Sequence, residues 1–193
     1  MHAQLTAFCV LANKEILRHY GSRGSCIFSA ATICEVLTHF GIKAEPLRVE
    51  AGIFPDEPKL HGCVLGSIGD GTRRPAAKKD MWRGHLASLV SDQYLIDTTL
   101  DQANTGRHLH VKPIVIDLRT TKWFDPDPPW IGESWTGLLT PWPGVQVRYT
   151  RFPRQAGWKN AGDFRPRRRR EIVATLIKAA APIFAGKLLT NPD

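Results

Sequence analysis

The sequence predicts an α+β domain in which N-terminal helices pack on an antiparallel β-sheet. Apolar residues recur at helical spacing over 3–40, short extended runs bounded by Pro, Gly, Asp and Ser fill the middle of the chain, and another helical pattern follows them. With 193 residues, 42% of them hydrophobic, the chain can bury one substantial core, and its length argues for a single domain over 1–193.

Residues 3–19 read as the first helix, with Leu5, Phe8, Ala12, Ile16 and His19 near one face. The second begins at Cys26 and runs to Phe40: Ser22 or Ser25 is its candidate N-cap, Ile27, Ala30, Ala31, Cys34 and Leu37 form its buried stripe, and Gly41 stops it. Strands are predicted at 43–49, 61–68, 84–90, 94–100, 111–118 and 145–152. The stretch 123–144, with Trp123, Trp130, Trp135 and Trp142 among prolines, reads as an ordered loop, since large aromatics need burial, and either walls a substrate cleft or covers the sheet. The last helix is expected over about 168–186, bent or shortened by Pro182.

Composition narrows the function classes. Four cysteines, Cys9, Cys26, Cys34 and Cys63, are too few and too irregular for a disulfide framework. None forms a CxxC pair and the histidines are scattered, so no metal site is expected. The apolar patch Leu5 to Ala12 has no preceding basic residue and is interrupted by Asn13, Lys14 and Glu15, which disfavours a secretory signal and a membrane span. A cytoplasmic location is the expectation. The Gly66-Ser67-Ile68-Gly69-Asp70-Gly71 run follows a strand but opens no helix, which argues against a nucleotide role. A net charge of +8 owes much to the run from Arg165 to Arg170 at the start of the basic last helix. That run reads first as a solvated helical turn, and alternatively as a contact for nucleic acid or an acidic protein.

The residues that carry chemistry are three. Cys26 stands where the turn Gly21-Ser22-Arg23-Gly24-Ser25 delivers the chain into a helix. There the helix dipole and the unpaired N–H groups favour a thiolate, and the same amides can stabilise an oxyanion. Gly84-His85-Leu86-Ala87-Ser88-Leu89-Val90 and Tyr94-Leu95-Ile96-Asp97-Thr98-Thr99-Leu100 read as a hairpin turning at Ser91-Asp92. A turn centred on residue 91 places His85 opposite Asp97, and a shift by one places Asp97 beside Leu86. Both residues are polar intrusions into apolar strands, a cost that mutual pairing removes. Taken singly, a core cysteine, a structural histidine and a strand-end aspartate are ordinary; their conjunction points to a Cys-His-Asp triad. Ser25, Trp82 and Trp130 are the candidate substrate-contacting residues. Asp101 is the alternative acid, and Gln102 and Asn104 are further site candidates set against a surface-loop role.

This order, a cysteine opening a helix, a Gly-His strand and a Tyr-Leu-Ile-Asp-Thr-Thr strand, resembles the transglutaminase-like branch of the papain-like cysteine superfamily. It is similar in the same way to the arylamine N-acetyltransferases. The resemblance covers roughly residues 20–103. It implies that Cys26 attacks an acyl carbon, that His85 takes its proton and later protonates the leaving group, and that Asp97 holds His85. It further implies a thioester intermediate formed from an amide or (thio)ester of a protein, peptide or small acyl substrate, without a cofactor. The family's aromatic residue soon after the histidine is replaced here by Leu86-Ala87, and no side chain completing the oxyanion hole is identified. A binding module on the same fold, with the basic run as its contact surface, is the alternative.

Overall fold

The apolar spacing at the start of the chain forms α1, His2–Tyr20, whose buried residues Leu5, Phe8, Cys9, Ala12 and Ile16 recur at helical intervals. A computed structural model describes residues 1–20, 26–66, 84–105, 107, 109–123, 136–151 and 157–188. α2, Cys26–His39, is buried without a break from Cys26 to Cys34. It lies between the sheet on one flank and α1 and α3, Pro166–Leu188, on the other, so it has almost no solvent face. Gly41, at φ +69°, ends it as predicted, and the Ile42 N–H donates back to the Leu37 carbonyl at 2.9 Å. α3 opens on Pro166, a residue suited to a first helical position, and continues past Pro182 to Leu188. The expected shortening at Pro182 does not occur. No helix among the described residues is long and apolar enough to cross a membrane.

The strands are β1 (Ala44–Pro55), β2 (Cys63–Leu65), β3 (His85–Val90), β4 (Tyr94–Asp97), β5 (Ile114–Asp117), β6 (Lys122–Trp123), β7 (Thr136–Trp142) and β8 (Val145–Arg151). They form one antiparallel sheet in the order β5-β4-β3-β1-β8-β7-β6, with β2 added beside β1. One face receives the helices, in a core that joins Phe8, Leu37, Leu176 and Phe184 to Val90 and Ile96. The other face closes over a second core containing Val49, Ile53, Leu95, Ile116 and Tyr149. The architecture is therefore α+β, as the sequence predicts.

β1 is the organising strand. Its first half, Ala44 to Val49, pairs with β3, and Ala51 to Ile53 pairs on the same side with β2. β2 and β3 thus lie end to end along β1 and abut opposite Glu50. Gly66, just past β2 at φ +78°, sits against this junction: a Cβ there would overlap the His85 backbone nitrogen and lie 2.7 Å from the His85 Cβ.

Several boundaries differ from the sequence reading, each for a local reason. The strand expected at 94–100 stops at Asp97, because the Asp97 carboxylate takes the Thr99 N–H at 2.9 Å and turns the chain into a 3₁₀ turn, Leu100–Asn104. The strand expected from 111 begins at Ile114, because the Asn104 side chain occupies both backbone groups of Val111 at 2.9 Å. Asn104 is therefore a loop staple. The predicted loop 123–144 contains β7, whose register shifts between Leu139 and Trp142; Pro141 sits at that irregularity, where a missing N–H is tolerated. The Arg165–Arg170 turn is not wholly solvated. Arg169 is buried, donates to Glu35 at 3.0 Å and to the Phe164 carbonyl, and places its guanidinium over the Phe164 ring.

Candidate active site

The β2–β3 junction and the first turn of α2 meet at one pocket of about 300 Å³, lined among the described residues by Cys26, Ile27, Val64, Leu65, Gly66, Gly84, His85 and Gln102. Cys26 is the first residue of α2 and is buried against Ile27, Ala30, Leu86 and Trp158. Its Sγ lies 3.9 Å from the Gly84 carbonyl. His85 opens β3 and is 2% exposed. Its Nε2 meets Asp97 Oδ2 at 2.7 Å, and His85 lines the same pocket as Cys26. Since Nε2 is engaged by the carboxylate, Nδ1 is the ring atom left for sulfur.

The hairpin achieves this by a register other than the two considered from sequence. Ser91, Asp92 and Gln93 together form the connection, with φ +51° at Ser91 and +53° at Asp92, and the ladder pairs Val90 with Tyr94 and Ser88 with Ile96. Continued by one step, that register sets Asp97 opposite Ala87, neither His85 nor Leu86. His85 and Ala87 point to the same face, so Asp97 reaches His85 diagonally. A slip of one residue would have placed the two on opposite faces.

Asp97 is fully satisfied. Oδ1 accepts the Thr99 N–H at 2.9 Å and the Thr99 hydroxyl at 3.3 Å, while Oδ2 accepts His85 and the Tyr149 hydroxyl at 2.8 Å. Behind it, Ser29 of α2 hydrogen-bonds the Thr98 hydroxyl and Asn13 of α1 donates to the Thr98 carbonyl at 2.7 Å, pinning the end of β4 from two helices. Burial alone would push the His85 imidazole down; the Asp97 carboxylate and the Cys26 sulfur outweigh it and hold the ring up at about 10. Burial opposes the Asp97 carboxylate, yet the His85 imidazolium and the donors on both oxygens keep it below its ordinary value. The pair is an ion pair in a nearly dry site. Desolvation and the Asp97 charge push the Tyr149 hydroxyl far above its usual range, so it stays a donor.

This electrostatics has a measurable consequence for stability. The His85 imidazole ordinarily titrates at 6.5 and is raised to about 10 on folding, so its contribution is complete below about 6.5 and is lost as pH climbs toward 10. The denaturant midpoint of the wild type is expected to fall across that window more steeply than that of His85→Gln. Parallel curves would show that His85 is neutral in the folded chain.

Cys26, His85 and Asp97 are thus brought together. Asp101 is not the acid: its Oδ2 accepts Asn13 Nδ2 at 3.3 Å, and it is Asp97 that bonds His85. Ser25, Trp82 and Trp130 lie outside the described residues, as does Ser22. Tyr149, Thr99 and Asn13 were not singled out in the sequence. Tyr149 alone carries a recognisable signal, a phenol on the inward side of the Val145, Val147, Tyr149 alternation. Gln102, a site candidate set against a surface-loop role, lines the pocket; its Nε2 is buried with no hydrogen-bond partner among the described residues. An unmade hydrogen bond of that kind costs about 1–3 kcal/mol. No group of three His, Cys, Asp or Glu among the described residues is placed to hold a metal ion.

No family model, curated protein or solved structure matches the chain.

Proposed function

We propose that the chain is a cysteine-dependent acyl-transfer enzyme of papain-like, transglutaminase-like type, acting on an amide or (thio)ester through a Cys26 thioester. The observation that carries this reading is the His85 ring, bonded through Nε2 to Asp97 and lining one pocket with Cys26. A histidine oriented by a buried carboxylate and facing a thiol is the arrangement that activates a cysteine nucleophile. With its proton already on the His85 ring, the Cys26 sulfur bonds the acyl carbon and the carbonyl π pair moves to oxygen. Collapse breaks the bond to the amine, alcohol or thiol, which takes the proton from His85. Water or an amine then attacks the thioester and gives a proton to His85 as the carbon–sulfur bond breaks, which restores the paired sulfur and imidazolium. A protein, peptide or small acyl donor fits this scheme, which needs no cofactor.

The test uses two reagents. Cys26 is expected to react with iodoacetamide faster than Cys9 and Cys34, both buried with thiols pushed up by desolvation, the latter to about 12. p-Nitrophenyl acetate is expected to leave an acetyl group on the Cys26 peptide with release of p-nitrophenol, and His85→Ala to slow both reactions at least 100-fold. Labelling spread over the four cysteines, or unaffected by His85→Ala, would remove the assignment.

A further inference from the structure

The geometry points to Gln102 Nε2 as the side-chain donor that receives the carbonyl oxygen of the acyl substrate as it becomes an oxyanion above Cys26. This rests on the proposed acyl transfer and supplies the component that the sequence left unidentified. Three observations converge. Gln102 shares the pocket with Cys26 and His85. Its amide nitrogen is buried and has no acceptor among the described residues, an unusual state for a native side chain unless a ligand completes it. Its backbone is fixed by the turn that fixes the acid: the Gln102 N–H donates to the Thr99 carbonyl at 3.1 Å, and the Thr99 N–H and hydroxyl bind Asp97. Buried Leu100 and Ala103 anchor that turn on either side of Gln102.

A second donor is available beside it. Cys26 is the first residue of α2, and the first N–H groups of a helix have no intrahelical acceptor. The Cys26 N–H and the Gln102 amide would together hold the negative oxygen of the tetrahedral adduct, as donors already in place when the charge develops. A neutral amide suits this task, because it donates without competing with His85 for the thiol proton.

Two reactions at the same sulfur separate this role from a structural one. Alkylation by iodoacetamide displaces iodide and forms no oxyanion, whereas acylation by p-nitrophenyl acetate passes through one. In Gln102→Ala and Gln102→Met, the alkylation rate of Cys26 is expected to stay within about twofold of wild type while the acylation rate falls about 100- to 1000-fold. Gln102→Met keeps the side-chain length, so the comparison survives if the alanine variant packs poorly. Gln102→Glu, which places an anion beside the developing charge, is expected to fall at least as far. Acylation that declines no more than alkylation in the methionine variant would overturn the assignment. A wild type that is alkylated but never acylated at Cys26 would remove the acyl-transfer reading itself, and the donor role with it.

Discussion

Asp97→Asn is expected to lower the rate of Cys26 acylation by p-nitrophenyl acetate by about 10⁴-fold while leaving the fold intact. The reason lies in which proton the His85 ring carries and where. Asp97 Oδ2 accepts from Nε2 at 2.7 Å, so Nδ1 is the ring nitrogen left to hold the proton that Cys26 gives up. An asparagine amide turned to donate toward Nε2 requires the neutral ring to carry its hydrogen on Nδ1, toward sulfur, where it can no longer act as base. Turned the other way, the amide oxygen keeps the ring orientation but provides no charge to hold the imidazolium beside Cys26. Thr99 and Tyr149 donate to different oxygens of Asp97, so the single amide oxygen keeps one of them as its donor, and the near-equal side-chain volume makes the substitution remove charge more than packing. Asp97→Ala has a different signature, because it strands a buried imidazolium and a buried phenol. It is expected to destabilise the chain by about 3–5 kcal/mol in addition to its kinetic defect. A loss in Asp97→Asn of less than tenfold would mean that His85 is oriented without the carboxylate.

What was legible beforehand follows from how local each signal is. α1 and α2 were readable because an apolar stripe repeats within a few residues, and Gly41 stops α2 by a conformation that glycine adopts easily. His85 and Asp97 are legible as polar residues inside apolar strands, and Cys26 as the residue that opens a helix after a Gly- and Ser-rich turn; their conjunction, not any one of them, carries the signal. The hairpin register was not readable. A two-residue and a three-residue connection fit the same Ser91-Asp92-Gln93 letters, and the choice is made by Gln93, whose carbonyl accepts the Leu118 N–H at 2.9 Å from a distant segment. β7 was hidden by its own Pro141 and by a register shift that destroys the alternation a strand is recognised by. Tyr149 and Asn13 reach the site from two separate elements. Their roles exist only once β8 and α1 are folded around Asp97, so no spacing rule along the chain joins them to it.

Gly66→Ala is the substitution expected to disrupt the site most severely without touching a reacting group. Gly66 and Gly144 have nearly the same positive φ, +78° and +74°, so an alanine at either carries the left-handed penalty of about 1–2 kcal/mol. Their surroundings differ completely. A Cβ at Gly144 meets nothing within 4 Å, whereas one at Gly66 overlaps the His85 nitrogen and approaches the Gly84 carbonyl carbon to 2.9 Å. These are backbone atoms, which cannot swing aside as a side chain would. Either β2 must retreat along β1, or the start of β3 must move and carry His85 with it. The second displacement shifts the imidazole relative to a sulfur on a helix that does not move, and an error near 1 Å between reacting groups costs about 100-fold in rate. Gly144→Ala is therefore expected to lose only the conformational penalty and to acylate at the wild-type rate, while Gly66→Ala loses more stability than that and about 100-fold in acylation. Equal kinetics in the two variants would show that β2 yields instead, and that the position of His85 is set by β1 and β4 alone.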